Sequence, residues 1–268
     1  MKKKLSIGLV GFGNMGRALG EALLSESAYQ LLAYDKEKKK LKGIDSIIRK
    51  ESLEKIIPSV NVVILAIKPQ DIEIFIKDAV RYFIKKRPLL ISIAAGVPTY
   101  FFEKRIKGIR VIRVMPNLAV KVRSSVSFMC KGKLATKKDL DVAYKIFSCV
   151  GKVFVIKESF LDKVTSISGS GPGYVYYFMD AIMKSALKLG FSQEIARMMI
   201  EETFLGAVRF ATLSGKEFSK LIEDVASRGG TTESALRIFT KKRLNSIINE
   251  AINSAYKKAK ELANYYHK

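Results

Sequence analysis

Apolar residues along this chain follow two regimes. In the first half, short apolar runs at Leu5–Val10, Tyr29–Tyr34, Val60–Ile67, Leu89–Ala94 and Ile109–Val114 are bounded by polar or Gly/Pro punctuation and read as buried strands. Helical spacing fills the gaps, as over Met15–Leu24 and Asp71–Phe83. This alternation predicts an α/β fold with a doubly wound, parallel sheet. Two further strands, Ser125–Cys130 and Lys152–Ile156, bracket a helix over Lys137–Ser148 and complete the sheet edge.

Beyond Glu158 the helical period takes over. Helices are expected over Tyr174–Leu189, Gln193–Leu213, Glu217–Val225 and Thr231–Phe239, followed by a long final helix. In that last segment Leu244, Ile247, Ile248, Ala251, Ile252, Ala255, Ala259 and Leu262 recur on one face with lysines outside. The boundary falls near Ser159, giving a Rossmann-type domain over residues 1–158 and an all-α domain over 159–268. The apolar helical faces exceed what the second domain can bury alone, which predicts at least a homodimer formed through it.

Glycine-bearing runs open helices in both domains. Gly11-Phe12-Gly13-Asn14-Met15-Gly16 follows the first strand, and Asp35 ends the second strand about 20 residues on, as a dinucleotide-binding turn requires. Gly11 permits the tight turn, Gly13 lets the backbone approach a pyrophosphate, and Gly16 allows close helix–strand packing. Asp35 suits a ribose 2′-hydroxyl and repels a 2′-phosphate, which favours NADH; Lys36, Lys38, Lys39 and Lys40 beside it can pair with that phosphate. An ordinary glycine turn with a solvated carboxylate is the plainer reading, and the βαβ context argues against it.

Small residues at the carboxyl ends of later strands leave room for a cofactor: Ala66 with Lys68-Pro69, and Ala94-Ala95-Gly96. Pro98 suits the first turn of a helix. Tight strand–helix packing explains the small residues equally well. Asn117, in Met115-Pro116-Asn117, offers a donor and an acceptor toward a nicotinamide, or is simply a turn asparagine.

In the second domain, Ser168-Gly169-Ser170-Gly171-Pro172-Gly173 reads as a loop and helix start, and Ser227-Arg228-Gly229-Gly230-Thr231-Thr232 precedes another helix. The latter combines two glycines with the hydroxyls of Ser227, Thr231 and Thr232 at a helix N-terminus, a nest for a small carboxylate. A plain N-cap needs far less. Two anion-binding runs together suggest a two-substrate enzyme.

Composition narrows the choice. The 268 residues are 48% hydrophobic, enough for one large or two modest cores. No run reaches the roughly 18 apolar residues of a membrane span. The basic start, Met1-Lys2-Lys3-Lys4, leads into a strand rather than a signal peptide. Cys130 and Cys149 are too few and too far apart for a disulfide framework or zinc site, which fits a reducing cytoplasm. The net charge of +23 attracts polyanions in general, yet the lysines are scattered and no recognition module accompanies them, so nucleic acid is not the expected partner. The single histidine, His267, excludes Ser-His-Asp triads and histidine-based metal sites, and no metal is expected.

The ordered set GFGNMG, AIKP, SIAAGV, RVMPN, SGSGP and SRGGTT resembles the pyrroline-5-carboxylate reductase family from the first strand to the penultimate helix. The resemblance implies a Rossmann domain followed by a helical dimerisation domain, often in rings of dimers. It also implies reduction of 1-pyrroline-5-carboxylate, a cyclic imine, to L-proline by NADH or NADPH. By motif match, Gly11 to Met15, Lys68, Pro69 and Ala94 to Gly96 line the cofactor, and Ser227, Gly230, Thr231 and Thr232 hold the substrate carboxylate. The match identifies no catalytic acid. The chain departs from the family pattern at Leu118-Ala119, Asp224 and Arg228. Two rivals are a 3-hydroxyacid dehydrogenase, disfavoured because Tyr174–Asp180 lacks the lysine such enzymes carry, and a non-catalytic regulatory protein of the same fold binding cofactor or nucleic acid.

Overall fold

The computed structural model describes residues 4–43, 47–49 and 52–266; His267 lies outside them. The chain forms two compact units, one of Met1–Pro172 with Ser254–Lys268, the other Gly173–Asn253. The sheet unit therefore extends past Ser159 and takes back the end of the last helix.

Among the described residues, eight strands form the sheet: β1 (Leu5–Val10), β2 (Tyr29–Tyr34), β3 (Ile48–Arg49), β4 (Val62–Leu65), β5 (Leu89–Ser92), β6 (Val111–Met115), β7 (Ser125–Lys131) and β8 (Gly151–Val155). Their order is β3-β2-β1-β4-β5-β6-β7-β8, parallel except for the antiparallel β6–β7 pair. The chain reverses on either side of β1, so β1 and β4 flank the topological switch point, where such sheets bind ligands at their carboxyl edge. Sequence reading missed β3, and it overextended the strand at Val60–Ile67, whose flanking apolar residues lie in turns.

The two-residue strand period sorts the core into two layers. Ile7, Leu9, Val62 and Ile64 point to one face, against Leu19 and Leu23 of α1 (Asn14–Leu24) and Phe147 of α5 (Lys137–Ser148). Val10, Val63 and Leu65 point to the other. There they meet Ile56 of α2 (Leu53–Ile56), Phe75 and Phe83 of α3 (Ile72–Lys86), and Phe101 and Phe102 of α4 (Thr99–Arg105). Pro98 stands at the N-cap of α4, one position before the helix proper, where its missing N–H removes no helical bond. Thr136 and Asp139 close a capping box that starts α5 where expected.

After β8, α6 (Leu161–Val164) runs into a π-helical turn at Thr165–Gly169. The helical unit contains most of α7 (Gly171–Lys188), then α8 (Gln193–Ser214), α9 (Phe218–Val225), α10 (Thr231–Lys241) and the start of α11 (Leu244–Tyr265). Among the described residues no helix is long and apolar enough to cross a membrane.

Candidate active site

The turn between β1 and α1 requires glycine for two different reasons. Gly11 has φ +93°, and a Cβ there would lie 2.6 Å from the Ala66 carbonyl oxygen. Gly13 is different: its backbone is extended, and a Cβ would meet nothing within 4 Å. It stands at the N-cap of α1 without a side-chain cap, so the first-turn amides face open space. A helix N-terminus open in this way suits an anion such as a pyrophosphate. A Cβ on Gly16 would collide with the Gly11 carbonyl, which locks helix against turn.

Asp35 fixes this loop from β2. It is 7% exposed; one carboxylate oxygen accepts from the Phe12 amide at 2.6 Å and the other from the Glu37 amide at 2.8 Å. The sequence assigned Asp35 to a ribose, and the structure gives it this second task. Phe12 turns its ring into the core, so its part in the turn is its amide. Met15 packs on the same core, and Asn14 is exposed at the start of α1.

A cavity of about 420 Å³ opens beside the turn, at the carboxyl ends of β1, β2 and β4. Gly11, Gly13, Asp35, Lys36, Ala66 and Lys68 line it, all of them predicted site residues. Its far wall is the face of α3 carrying Ile74, Phe75 and Asp78, with Asp71 just before the helix. Sequence reading missed these residues, although their spacing places them on one helix face. Lys36 pairs with Asp71 at 2.8 Å, and that carboxylate holds its ammonium above the usual pKa. Lys40 bonds Glu37 at 2.6 Å and lies 3.8 Å from Asp35; the Glu37 bond raises the Lys40 pKa and lowers that of Glu37.

Pro69, Ala94, Ala95, Gly96 and Asn117 lie outside the walls of this cavity. The Asn117 amide donates to the Ser168 carbonyl at 3.3 Å, and its oxygen accepts from the Ala119 amide at 3.2 Å. It thereby ties the loop after β6 to the turn before α7. A partly buried cluster that sequence reading missed reinforces this joint. Arg113 of β6, 3% exposed, reaches Glu158 at 3.4 Å and Asp162 at 2.7 Å, while Glu158 accepts from the amide and hydroxyl of Thr99, each at 2.7 Å. Cys130, opposite Arg113, has its thiol pKa pushed up to about 12, chiefly by burial.

Within the helical unit, Gly229 has φ +72° and Gly230 is the N-cap of α10 without a side-chain cap. The Gly229 amide donates to Glu233 at 2.7 Å and the Gly230 amide to the Ser227 carbonyl at 2.9 Å. The nest is thereby narrowed to the first-turn amides of α10 with the hydroxyls of Ser227, Thr231 and Thr232. Asp224 is paired with Lys216 at 2.6 Å, which lowers its pKa and offsets its charge. Among the described residues no cluster of His, Cys, Asp or Glu could hold a metal ion.

Fold and turn define a dinucleotide-binding protein of the doubly wound class with an appended helical unit. Residues 158–262 match the family model for pyrroline-5-carboxylate reductase dimerisation, and residues 6–96 that for NADP oxidoreductase, coenzyme F420-dependent. Pyrroline-5-carboxylate reductase 2 of Bacillus subtilis is 34% identical over 274 residues, covering 98% of this chain and 95% of its own. The Methanosarcina acetivorans pyrroline-5-carboxylate reductase is 32% identical over 271 residues, covering 96% and 97%. The crystal structure of Plasmodium falciparum pyrroline carboxylate reductase with NADP bound superposes with a TM-score of 0.90 at 25% identity, over 97% of this chain and 98% of that one. The chain belongs to the pyrroline-5-carboxylate reductase family, which are NAD(P)H-dependent oxidoreductases of proline biosynthesis.

Proposed function

We propose that this protein reduces 1-pyrroline-5-carboxylate to L-proline with NADH or NADPH, and that the two anion-binding runs divide the labour. The cradle at Gly13, which no side chain fills, is the observation that carries the cofactor half of the reading. The turn Gly11–Gly16 seats the pyrophosphate, and Asp35 with Lys36 faces the adenosine ribose. Ala66 and Lys68 line the same side, with Pro69 next to them outside the cavity wall, and Ala94, Ala95, Gly96 and Asn117 toward the nicotinamide. The hydroxyls of Ser227, Thr231 and Thr232 and the first-turn amides of α10 hold the substrate carboxylate, with Gly230 at the N-cap shaping the turn.

A reduced nicotinamide held by these residues would supply hydride to the carbon of the protonated C=N bond, whose nitrogen would keep its proton as the charge is neutralised. The protein's contribution is orientation in a dry site, which explains how it works without a central histidine. The helical domain makes the protein at least a homodimer, and its two free cysteines suit a reducing cytoplasm.

Asp35 favours a 2′-hydroxyl over a 2′-phosphate, and the cations beside it are shared with other carboxylates, Lys36 with Asp71 and Lys40 with Glu37. NADH is therefore the better donor. A spectrophotometric assay with 1-pyrroline-5-carboxylate and each reduced cofactor tests the reaction. Asp35→Ser should shift the ratio of catalytic efficiencies toward NADPH; an unchanged ratio would show that other contacts set the preference.

A further inference from the structure

The end of α11 returns to the sheet unit and packs behind the loops that leave β4 and β5. Tyr266, just past the helix, is 3% exposed, with its ring edge-on to Phe101 at 4.8 Å between centroids. Its hydroxyl donates to the Pro69 carbonyl at 2.5 Å, and its own carbonyl accepts from the Tyr100 hydroxyl. One turn earlier, Leu262 and Ala263 approach Gly96 (φ +75°) so closely that a Cβ there would lie 2.9 Å from the Cβ of Leu262. The same short stretch thus touches both loops.

The Pro69 carbonyl also accepts from the Ile72 amide, so the Tyr266 hydroxyl adds a second bond to the carbonyl that opens α3. Ala66, Lys68 and Asp71, on either side of Pro69, line the cavity, and Phe75 follows one turn into α3. The Lys36–Asp71 pair holds the rim of this wall, but it is largely exposed and therefore weak. The Tyr266 bond holds it from behind, inside the core.

We propose that Tyr266 is a positioning residue for the dinucleotide pocket, fastening the wall at residues 66–71 through the Pro69 carbonyl. The proposal rests on the reading of that cavity as the cofactor site. Removing one neutral hydrogen bond that orders a binding wall weakens binding by roughly two- to tenfold.

The test uses the full chain and its Tyr266→Phe variant, which keeps the ring and loses only the hydroxyl. Nicotinamide fluorescence gives the Kd of NADH and NADPH, steady-state kinetics the KM of the imino acid at saturating cofactor. The expected result is a cofactor Kd raised about two- to tenfold with the imino acid KM unchanged. A purely structural Tyr266 predicts a lowered Tm without a change in cofactor Kd, and an unchanged Kd overturns the proposal whatever Tm does. Should the variant not fold, hydrogen exchange on the unaltered protein decides. Cofactor binding must then slow exchange at residues 66–71 and 259–266 together; no protection at 259–266 overturns the proposal. An unaltered protein that binds neither cofactor removes the functional reading, and the proposal with it.

Discussion

The sheet unit and the helical unit solve the burial problem in opposite ways. Phe12, Phe83, Phe101, Phe102 and Phe147 are sealed within the sheet unit between the sheet and its flanking helices. Among the described residues of 173–253, the chain buries only the apolar residues Ala186, Ala196 and Ile200. Tyr177 is 74% exposed, Leu189 79%, Leu213 86% and Phe218 77%. So many exposed large apolar side chains mark an interface rather than a finished core. One unit is complete within a single chain, while the other matches a dimerisation family over residues 158–262, which supports a homo-oligomer in which further copies cover its apolar faces.

The largest expected effect breaks that difference directly. Leu205 and Val208 share an exposed face of α8, and placing Asp at both should abolish dimerisation at micromolar concentration. Sedimentation velocity reads the loss. NADH binding should survive it, because Gly13, Asp35 and the α3 wall all belong to the sheet unit. A variant that remains dimeric would place the interface elsewhere.

A second pair of variants separates two uses of one turn. Gly13→Ala should leave Tm nearly intact, since the backbone is extended and the added methyl meets no atom of the protein. It should weaken NADH by roughly a hundredfold, the methyl taking the place of charge-assisted bonds to the pyrophosphate. Gly11→Ala should instead lower Tm sharply, through its positive φ and the Ala66 carbonyl. Equal losses of Tm in the two variants would refute the distinction.

The third effect belongs to the helical unit. Thr232→Ala removes a hydroxyl from the proposed carboxylate nest and should lower kcat/KM by roughly 10- to 150-fold, the worth of one hydrogen bond to a charged group. NADH Kd should stay constant. A helix cap alone predicts about 0.5–2 kcal/mol lost from stability with KM intact. Weaker NADH binding with unaltered substrate KM would sink the assignment.

What could be read from the sequence depended on whether the determinant was local. The apolar runs gave β1 and β2 to the residue, and α5 has the bounds expected of it, its start fixed by the local Thr136–Asp139 capping box that the structure shows. The glycine turn was legible for the same reason: strand, turn and helix are contiguous. The strand β3 was not, since two residues paired only to β2 carry no period. The Arg113 cluster was hidden because its carboxylates come from positions 158 and 162, and Tyr266 because the loop it fastens begins nearly two hundred residues earlier. Asp35 shows the intermediate case. Its place after β2 was visible, but its grip on the Phe12 amide emerges only when β1 and β2 lie side by side.

The lining of the cavity proposed for the cofactor also bears on how a ligand arrives. The whole chain carries +23, yet the cavity wall holds four carboxylates, Asp35, Glu37, Asp71 and Asp78, against the ammonium groups of Lys36, Lys40 and Lys68. Attraction and selection therefore act over different distances. Far from the surface any anion is drawn in, and this steering fades once the Debye length falls below about 10 Å near 0.1 M salt. Close in, the carboxylates oppose surplus negative charge, and in the proposed site the first-turn amides at Gly13 donate to the pyrophosphate. Rising ionic strength should thus slow capture of the dinucleotide much more than it hastens its escape, so that salt sets the traffic into the pocket and the glycine turn sets the stay.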